Sequence, residues 1–354
     1  MTEPTSPPTP RIGIAIPYTD RVPREQVIEF VEAADRLGYE SVWVPEAYGY
    51  DAITMLTLLA ARTTSIQLAT GIINVFSRTP ALIAQTMAAL DDISGGRAIL
   101  GLGTSGPQVI SGWHGMPFDR PAQRMRETVE IVRLALRRER VVFHGEVFDL
   151  PKGLKLITHP PRPQVPVALA TITDEGVALT AEIAERWMPT LFDIDAAPAV
   201  FANALDRGRV RRPPSLDPLI VCPTVTVCAA DDLERARAMV RPNFALYIGG
   251  MGSRQRNFYN ALVTRYGYGD AARRIQDLYL AKDKEGATAA VPDELIDRLA
   301  VVGPLEHCRE RIRGYVAAGY VPLVAFANRE PEVQRAVLEA LAPRALSAEA
   351  GAAA

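Results

Sequence analysis

The feature that most constrains the fold of this chain is a regular alternation of short apolar runs with longer amphipathic stretches. The first apolar run is Ile12 to Ile16, and the stretch after it repeats apolar residues every three or four positions up to Gly38. This spacing predicts a helix that buries one face. Further apolar runs begin at Ser41, Ile66 and Ala98. Such alternation is typical of α/β proteins with a parallel sheet.

The alternation continues along the chain and predicts eight strands. The later strands are expected at 167–170, 187–190, 220–227 and 321–326, with the last two helices at 305–318 and 330–341. Eight strands alternating with helices fit a closed (β/α)8 TIM barrel better than an open doubly wound sheet. The open sheet stays an alternative, because the number of strands alone does not prove closure. We expect one barrel domain over 11–342, a disordered leader over 1–10 and a flexible tail over 343–354.

Two segments are additional to the strands and helices that a minimal barrel needs. Residues 141–165 contain VVFHGEVFDL and the proline-rich HPPRPQVP, which predict a small hairpin and an extended crossing. Residues 243–290 contain a glycine cluster, aromatic residues and a helical run. Insertions of this size usually lie on the strand-to-helix side of a barrel. We therefore expect both at the carboxyl-terminal face, where they would shape a pocket.

Composition excludes several functional classes. The 39 Lys and Arg residues nearly balance 41 Asp and Glu residues. The chain therefore lacks the excess positive charge of a sequence-blind nucleic-acid binder or a polybasic membrane anchor. No apolar run approaches the roughly 18 residues of a transmembrane helix. The three cysteines are too few for a disulfide framework, and the four histidines lack metal-ligand spacing. We expect a cytoplasmic protein without a metal site.

The segment Gly101–Gly106 matches the dinucleotide fingerprint G-x-G-x-x-G and follows a predicted strand. A nicotinamide-binding unit also needs a helix that opens at the third glycine and an acidic residue after the next strand. Here we interpret the sequence after Pro107 as a loop, and Glu127 falls within an amphipathic helix, so we reject the Rossmann interpretation. We favour a turn whose backbone amides line a cofactor; the alternative is only a tight exit from the strand.

Candidate reactive groups follow the predicted strands. Glu46 comes directly after the second strand, at the end where barrel enzymes carry catalytic residues. His114 follows Trp113 in a glycine-flanked loop, although a lone loop histidine is more often only solvated. Thr173 is a good helix cap, and free amides at a helix start can bind phosphate. Asp174 in the first turn would repel an anion, so capping is the better interpretation from the chemistry of this segment alone.

Five segments in order make the chain similar to a known family: 41–51 (SVWVPEAYGYD), 69–80 (ATGIINVFSRTP), 91–115, 247–269 and 292–304. The sequence resembles the bacterial luciferase-like superfamily, specifically its coenzyme F420 (deazaflavin)-dependent oxidoreductases of actinobacterial type. The resemblance extends over about 11–341. It implies a TIM barrel that binds F420 at its carboxyl-terminal mouth, a homodimer, and a separate F420 reductase that regenerates the reduced cofactor.

The resemblance also implies which residues hold the cofactor. In relatives, a bulge with a non-proline cis peptide backs the ring, and the matching bond here joins Gly71 and Ile72. The ribityl chain would lie along Gly103, Thr104, Ser105 and Gly106. The phosphate would lie near Ala170, Thr171, Ile172 and Thr173. Glu46-Ala47 stands where many relatives have an Asp-His pair that touches the ring, so Glu46 is expected to touch it here. Thr173–Gly176 replaces a Gly-Pro-Lys-Asn segment, which leaves phosphate binding to backbone amides.

The implied reaction is hydride transfer. Reduced deazaflavin passes a hydride from its C5 to a C=C, C=N or C=O bond, and an acid protonates the other atom; the reverse oxidation of an alcohol is also allowed. Glu46 is the first choice for proton donor or ring-polarising group, and His114 is the second. The substrate would be an apolar small molecule, a natural product or a peptide. Its pocket would be lined by Phe76, Trp113, His114, Tyr247, Met251 and Phe258. The alternatives are an FMN-dependent monooxygenase supplied by a partner flavin reductase, and a non-catalytic cofactor carrier or sensor.

Overall fold

The structure, a computed structural model, describes residues 9–17 and 21–348. Most of the predicted leader and positions 349–354 lie outside this range. The described strands are β1 Gly13–Ala15, β2 Ser41–Val44, β3 Gln67–Thr70, β4 Ile73–Asn74, β5 Ala98–Gly103, β6 Val141–His144, β7 Asp149–Leu154, β8 Val167–Ala170, β9 Arg186–Trp187, β10 Ile220–Val221, β11 Thr224–Ala229, β12 Ala300–Gly303 and β13 Leu323–Phe326.

The described helices alternate with these strands as the sequence predicts. They are α1 Arg24–Leu37, α2 Ala52–Arg62, α3 Pro80–Ile93, α4 Pro107–Gly112, α5 Pro121–Leu136, α6 Asp174–Ile183, α7 Ala197–Arg211, α8 Leu233–Ala245, α9 Phe258–Val263, α10 Gly269–Leu280, α11 Lys284–Ala289, α12 Asp293–Leu299, α13 Leu305–Ala317, α14 Pro331–Ala340 and α15 Pro343–Ala348. None of the helices that the structure describes is long and apolar enough to cross a membrane.

The parallel sheet closes into the predicted barrel. Its strands follow the order β10-β9-β8-β5-β3-β2-β1-β13-β11. The segment 220–229 joins the two ends of this order, because β10 pairs with β9 while β11, two residues further on, pairs with β13. Cys222 N donates to Trp187 O at 2.7 Å, and Val321 N donates to Val221 O at 2.9 Å. The eight-strand TIM-barrel prediction is confirmed.

Two strands differ from the prediction. The strand expected at 187–190 is Arg186–Trp187, and Pro189 beyond it has no N–H to donate to a ladder. Ala300–Gly303 forms β12, which the alternation did not predict as a strand. It pairs with β11 from Thr226 onward. β12 therefore takes the place of β9 as the neighbour of the 220–229 segment, from Thr226 onward, where β9 has ended.

The core has an inner and an outer part. Inside the barrel lie Trp43, Ala69, Ile99, Ala168, Cys222, Val321 and Leu323. The larger cluster fills the space between the strands and the surrounding helices. A polar network closes the amino-terminal end, where the buried Arg186 donates to Glu40 at 3.1 and 3.2 Å and to Gln67 at 3.0 Å. Pairing supplies the partners that a buried charge requires.

The expectation for residues 141–165 is right about the hairpin and wrong about where it is attached. β6 and β7 pair in an antiparallel hairpin. The segment connects α5 to β8, so it leaves the barrel at the helix-to-strand end rather than at the carboxyl-terminal face. Only the turn of the hairpin extends toward the carboxyl-terminal face. There the carboxylate of Glu127 on α5 accepts hydrogen bonds from the N–H groups of Glu146, Val147 and Phe148. The expected positions of a helix around Glu127 and a strand at 167–170 already placed this segment between a helix and the next strand, and the general tendency of insertions to lie at the carboxyl-terminal face did not hold here.

The second insertion lies at the carboxyl-terminal face, as expected. Structurally it extends from α8 to β12, between β11 and α13, and includes two π-helical segments, 246–250 and 264–268. At the chain terminus, residues 343–348 form α15, and Leu346 is only 3% exposed. The flexible tail expected from 343 is therefore wrong for this part, because an apolar side chain docks on the core.

Candidate active site at the carboxyl-terminal mouth

The strand-to-helix loops carry unusual backbone geometry. Ala47, Ser105 and Leu191 have positive φ angles of 47°, 55° and 50°, and they follow β2, β5 and β9 respectively. Non-glycine residues rarely adopt this conformation, and those that do are concentrated at functional sites. Of the six described non-glycine residues with positive φ, these three lie together in strand-to-helix loops, which makes the carboxyl-terminal mouth the candidate site.

The three segments expected to hold a cofactor lie side by side at this mouth. Asn74 of β4 pairs with Gly103 of β5, and Gly103 pairs with Ala170 of β8. The Gly71–Ile72 peptide bond is cis, as the resemblance implied. Between β3 and β4 the ladder is interrupted, and Thr70 Oγ1 replaces it by accepting from Gly101 N and donating to Gly101 O, both at 2.8 Å.

The interruption between β3 and β4, which we call the bulge, explains two glycines of the fingerprint motif. A Cβ at Gly101 would lie 1.8 Å from the Thr70 carbonyl oxygen, and a Cβ at Gly103 would lie 2.9 Å from Ile72 Cδ1. Gly106 has open space around its Cβ position. The first two glycines thus permit the close packing of β5 on the bulge, a requirement that is unrelated to dinucleotide binding.

The segment after Gly106 is a correction. Residues 107–112 form α4, where we expected a loop; proline at the first helical position has the φ angle that a helix start requires. The Rossmann interpretation stays rejected, because β5 belongs to a closed barrel and Glu127 binds the hairpin turn.

Glu46, the first catalytic candidate, is held by an arginine. Arg78 Nη1 donates to Glu46 Oε1 at 2.8 Å, and Arg78 Nη2 binds Asp51. Burial raises the pKa of Glu46, and Asp51 adds to the rise, whereas Arg78 and the N–H of Ala52 oppose it; the net pKa lies above the ordinary glutamate value. The other oxygen, Oε2, is buried and makes no hydrogen bond of good geometry to any described residue. It is available to a group bound at the mouth.

His114, the second candidate, contacts the bulge. Its Nε2 lies 3.3 Å from the side-chain nitrogen of Asn74. Ser77 Oγ donates to the backbone oxygen of Asn74 at 3.1 Å and lies 3.5 Å from Arg78 Nη1. The structure therefore brings Glu46 and His114 onto one connected set of polar groups.

The threonine hydroxyls at the β8 exit, which is expected to bind phosphate, form hydrogen bonds within the protein. Thr171 Oγ1 lies 2.8 Å from Thr180 Oγ1, and Thr173 Oγ1 caps α6 by accepting from Gly176 N at 3.2 Å. The capping expectation for Thr173 is confirmed. Asp174 Oδ1 pairs with Arg265 Nη1 at 2.9 Å, so a cation from the second insertion offsets the negative charge at this helix start.

The expected pocket residues occupy different environments. Trp113 is 69% exposed, whereas Phe76 is only 6% exposed and stacks on Phe118 at 5.3 Å. The guanidinium of Arg124 lies 4.8 Å from the centre of the Phe76 ring. Phe76 is thus part of the mouth's packed wall, and Trp113 stands at its rim.

The second insertion supplies the remaining expected residues. Tyr247 lies in the first π-helical segment and packs edge-on against Tyr259 at 4.8 Å. Burial, with a smaller effect from the Tyr48 hydroxyl, raises the pKa of Tyr247. Phe258 is the first residue of α9, and the partly buried Met251 directly follows the π-helical segment.

A large cavity lies away from the mouth. Its volume is about 920 Å³, and it lies between α3, α5, the β6–β7 hairpin and residues 155–160. None of the expected site residues lines it. Among the described residues, no three His, Cys, Asp or Glu side chains are grouped as a metal site would require.

Sequence reasoning missed Asn74, Arg78 and Arg265 as site residues. Asn74 and Arg78 lie inside the segment 69–80 that carried the resemblance, and both follow β3 toward the mouth. Their position after a strand was the available signal. Arg265 lies in the second insertion, 91 positions after Asp174, and no local pattern predicts its ion pair.

Comparison with known proteins identifies relatives along most of the chain. The family model described as luciferase-like monooxygenase matches residues 10–321. A Mycobacterium tuberculosis protein named "Putative coenzyme F420-dependent oxidoreductase" is 35% identical over 337 residues, covering 92% of this chain and 97% of the relative.

Solved structures show the same fold. The coenzyme F420-dependent tetrahydromethanopterin reductase of Methanopyrus kandleri superposes with a TM-score of 0.79 at 21% identity, covering 94% of this chain and 97% of that one. The FMN-bound oxygenating component of a Pseudomonas putida 3,6-diketocamphane monooxygenase gives 0.65 at 19% identity, covering 95% and 99%. From the closed barrel and these matches, we conclude that this chain belongs to the luciferase-like monooxygenase family.

Proposed function

We propose that this chain is a coenzyme F420-dependent oxidoreductase that reduces a C=C, C=N or C=O bond of an apolar or natural-product substrate. The observation that carries the proposal is the 35% identity, over 92% of the chain, to a relative named as F420-dependent. The chemistry that F420 supplies when bound is the transfer of a hydride. The protein must orient the reactants and exclude water.

The residues at the mouth fit such a group. The backbone of Gly71 and Ile72 would support the flat ring, and the turn from Gly103 to Gly106 would follow the ribityl chain. Backbone amides from Ala170 to Thr173 would hold the phosphate, and the hydroxyl of Thr173, which only accepts a bond from Gly176 N, could donate to it. The buried Oε2 of Glu46 offers one hydrogen-bonding oxygen, a donor when protonated, to the ring or substrate.

Glu46 is the proposed proton donor. A general acid works best when its pKa is near the operating pH, and burial moves the pKa of Glu46 in that direction. His114, on the same connected set of polar groups, would contact the substrate. Trp113 and Tyr247 would contribute apolar walls on either side of the opening.

Titration of the purified protein tests the proposal. We expect F420 to bind, followed by its fluorescence or by calorimetry, and FMN not to bind. Reduced F420 should then be consumed with unsaturated ketones, imines or other acceptors from a panel. Tight FMN binding without F420 binding would instead indicate the monooxygenase, which the FMN-bound structural relative represents. F420 binding without turnover of any acceptor would indicate a carrier or sensor.

A further inference from the structure

We propose that Asn74 is a positioning residue that holds His114 as the neutral tautomer with its proton on Nδ1. His114 would then act through Nδ1–H as a hydrogen-bond donor rather than as an imidazolium acid. The tautomer follows from the contacts of the two side chains alone. Its part in the reaction rests on the proposed function.

The amide of Asn74 has a determined orientation. Asn74 lies in β4, is 3% exposed, and accepts a hydrogen bond at Oδ1 from Phe76 N at 3.1 Å. A flipped amide would place two N–H groups against the N–H of Phe76. The oxygen therefore faces Phe76, and Nδ2 faces the ring of His114.

This orientation selects the tautomer of His114. The Nδ2 of Asn74 can only donate, and its neighbour at 3.3 Å is Nε2 of His114. Nε2 must then accept, which requires an unprotonated nitrogen, so the single ring proton lies on Nδ1. An imidazolium would place an N–H against the amide hydrogens.

A neutral imidazole has a defined use in catalysis. Its N–H can stabilise negative charge that develops on a substrate oxygen or nitrogen without giving up the proton. The proton itself would come from Glu46, which lies on the same connected set of polar groups. Asn74 follows the bulge by two residues, so the segment proposed to support the ring also orients this donor.

Nitrogen NMR of the protein labelled with ¹⁵N-histidine tests the tautomer without any cofactor. The chain has four histidines, and His114→Gln assigns the resonance of interest. We expect a protonated Nδ1 and an unprotonated Nε2. In Asn74→Asp, a carboxylate oxygen faces the ring, so Nε2 should become protonated. His144, whose Nδ1 lies 2.7 Å from Asp149 Oδ1, is the control and should not change.

A protonated Nε2 in the unmodified protein, or an unchanged His114 in Asn74→Asp, would overturn the proposal. The first of these measurements needs only the His114→Gln variant for assignment, so it decides even if Asn74→Asp fails to fold. In single turnover, His114→Phe, which removes the Nδ1–H donor, should lower the hydride-transfer rate about 10²-fold, while F420 affinity changes little. If F420 does not bind at all, the proposed function fails while the NMR result still stands.

Discussion

Nη1 of Arg78 lies 2.8 Å from Oε1 of Glu46, across 32 positions of sequence, and its other terminal nitrogen binds Asp51. One cation thus joins the loop after β2 to the segment after β4. It offsets two acids at the mouth and leaves Glu46 Oε2 unpaired. This arrangement determines how Glu46 can act.

Glu46→Gln should reduce chemistry far more than binding. Glutamine keeps the size of the side chain and can still accept from Arg78, but it has no acidic proton. We expect the single-turnover rate of hydride transfer to fall about 10²- to 10⁴-fold, with the F420 dissociation constant little changed. Glu29→Gln is the control, because it makes the same chemical change on an exposed side chain of α1 and should leave the rate unchanged. An unaltered single-turnover rate in Glu46→Gln would remove Glu46 from the mechanism.

Arg78→Gln should shift the pH dependence of the same step upward. Burial raises the pKa of Glu46 and Arg78 opposes that rise, so loss of the cation raises the pKa further. A proton donor is active while protonated. The single-turnover rate should therefore begin to fall at higher pH in the variant than in the unmodified protein. Arg335→Gln, on the exposed face of α14, should show no shift; identical profiles for Arg78→Gln would contradict the assignment.

Glu127→Gln should destabilise the fold in a pH-dependent way. Glu127 is 1% exposed; burial alone would raise its pKa, but hydrogen bonds from Gln123 and from the N–H groups of 146–148 outweigh this and lower it. The carboxylate therefore adds stability above the ordinary pKa of 4.5, and this is lost as pH falls through the lower folded value. We expect the free energy of unfolding to drop by about 1–3 kcal/mol near neutral pH.

Urea unfolding at several pH values measures this effect. Glu146→Gln makes the same chemical change on an exposed side chain and should alter the free energy of unfolding by less than about 0.5 kcal/mol. The difference in free energy of unfolding between Glu127→Gln and the unmodified protein should become smaller as the pH falls into the acid range. A difference that is constant with pH would show that the carboxylate charge is not responsible.

Gly101→Ala should disrupt the bulge. Its Cβ would lie 1.8 Å from a backbone oxygen, which cannot move without breaking the bonds between Thr70 and Gly101. We expect a loss of about 3 kcal/mol or more, measured by thermal or urea unfolding. Gly112→Ala is the matched control, since nothing lies within 4 Å of that Cβ and alanine favours the helix. Equal stability of the two variants would refute the packing argument.

Local patterns predicted individual elements well. α1 ends before Gly38, which has the left-handed φ of 83° expected of a glycine that stops a helix. Thr79 caps α3 through a bond from Leu82 N at 3.2 Å. These features depend on a few neighbouring residues, so the sequence contains all the information they need.

Placement of the insertions was less predictable. The hairpin was expected at the carboxyl-terminal face but is attached at the other end, and Glu127 on α5 accepts hydrogen bonds from its turn. α4 was missed because six residues are too few for a clear helical period. Asn74 and Arg78 lie within the segment 69–80, but no local sequence pattern indicates which residues they contact.

By itself, the amino-acid sequence determined the alternation of strands and helices and, through its resemblance, the family, whereas closure of the sheet was decided by the pairing of β10 with β9 and of β11 with β13. The period of the hydrophobic residues and the capping of helices depend on a few neighbouring residues, so both can be recognised in the sequence. Only the tertiary structure decided that Arg78 meets Glu46 and that Asn74 meets His114. Those contacts exist because β2, β3 and β5 are neighbours in the parallel sheet and β4 pairs with β5, so their carboxyl ends lie together although each pair of residues is separated by more than 30 positions.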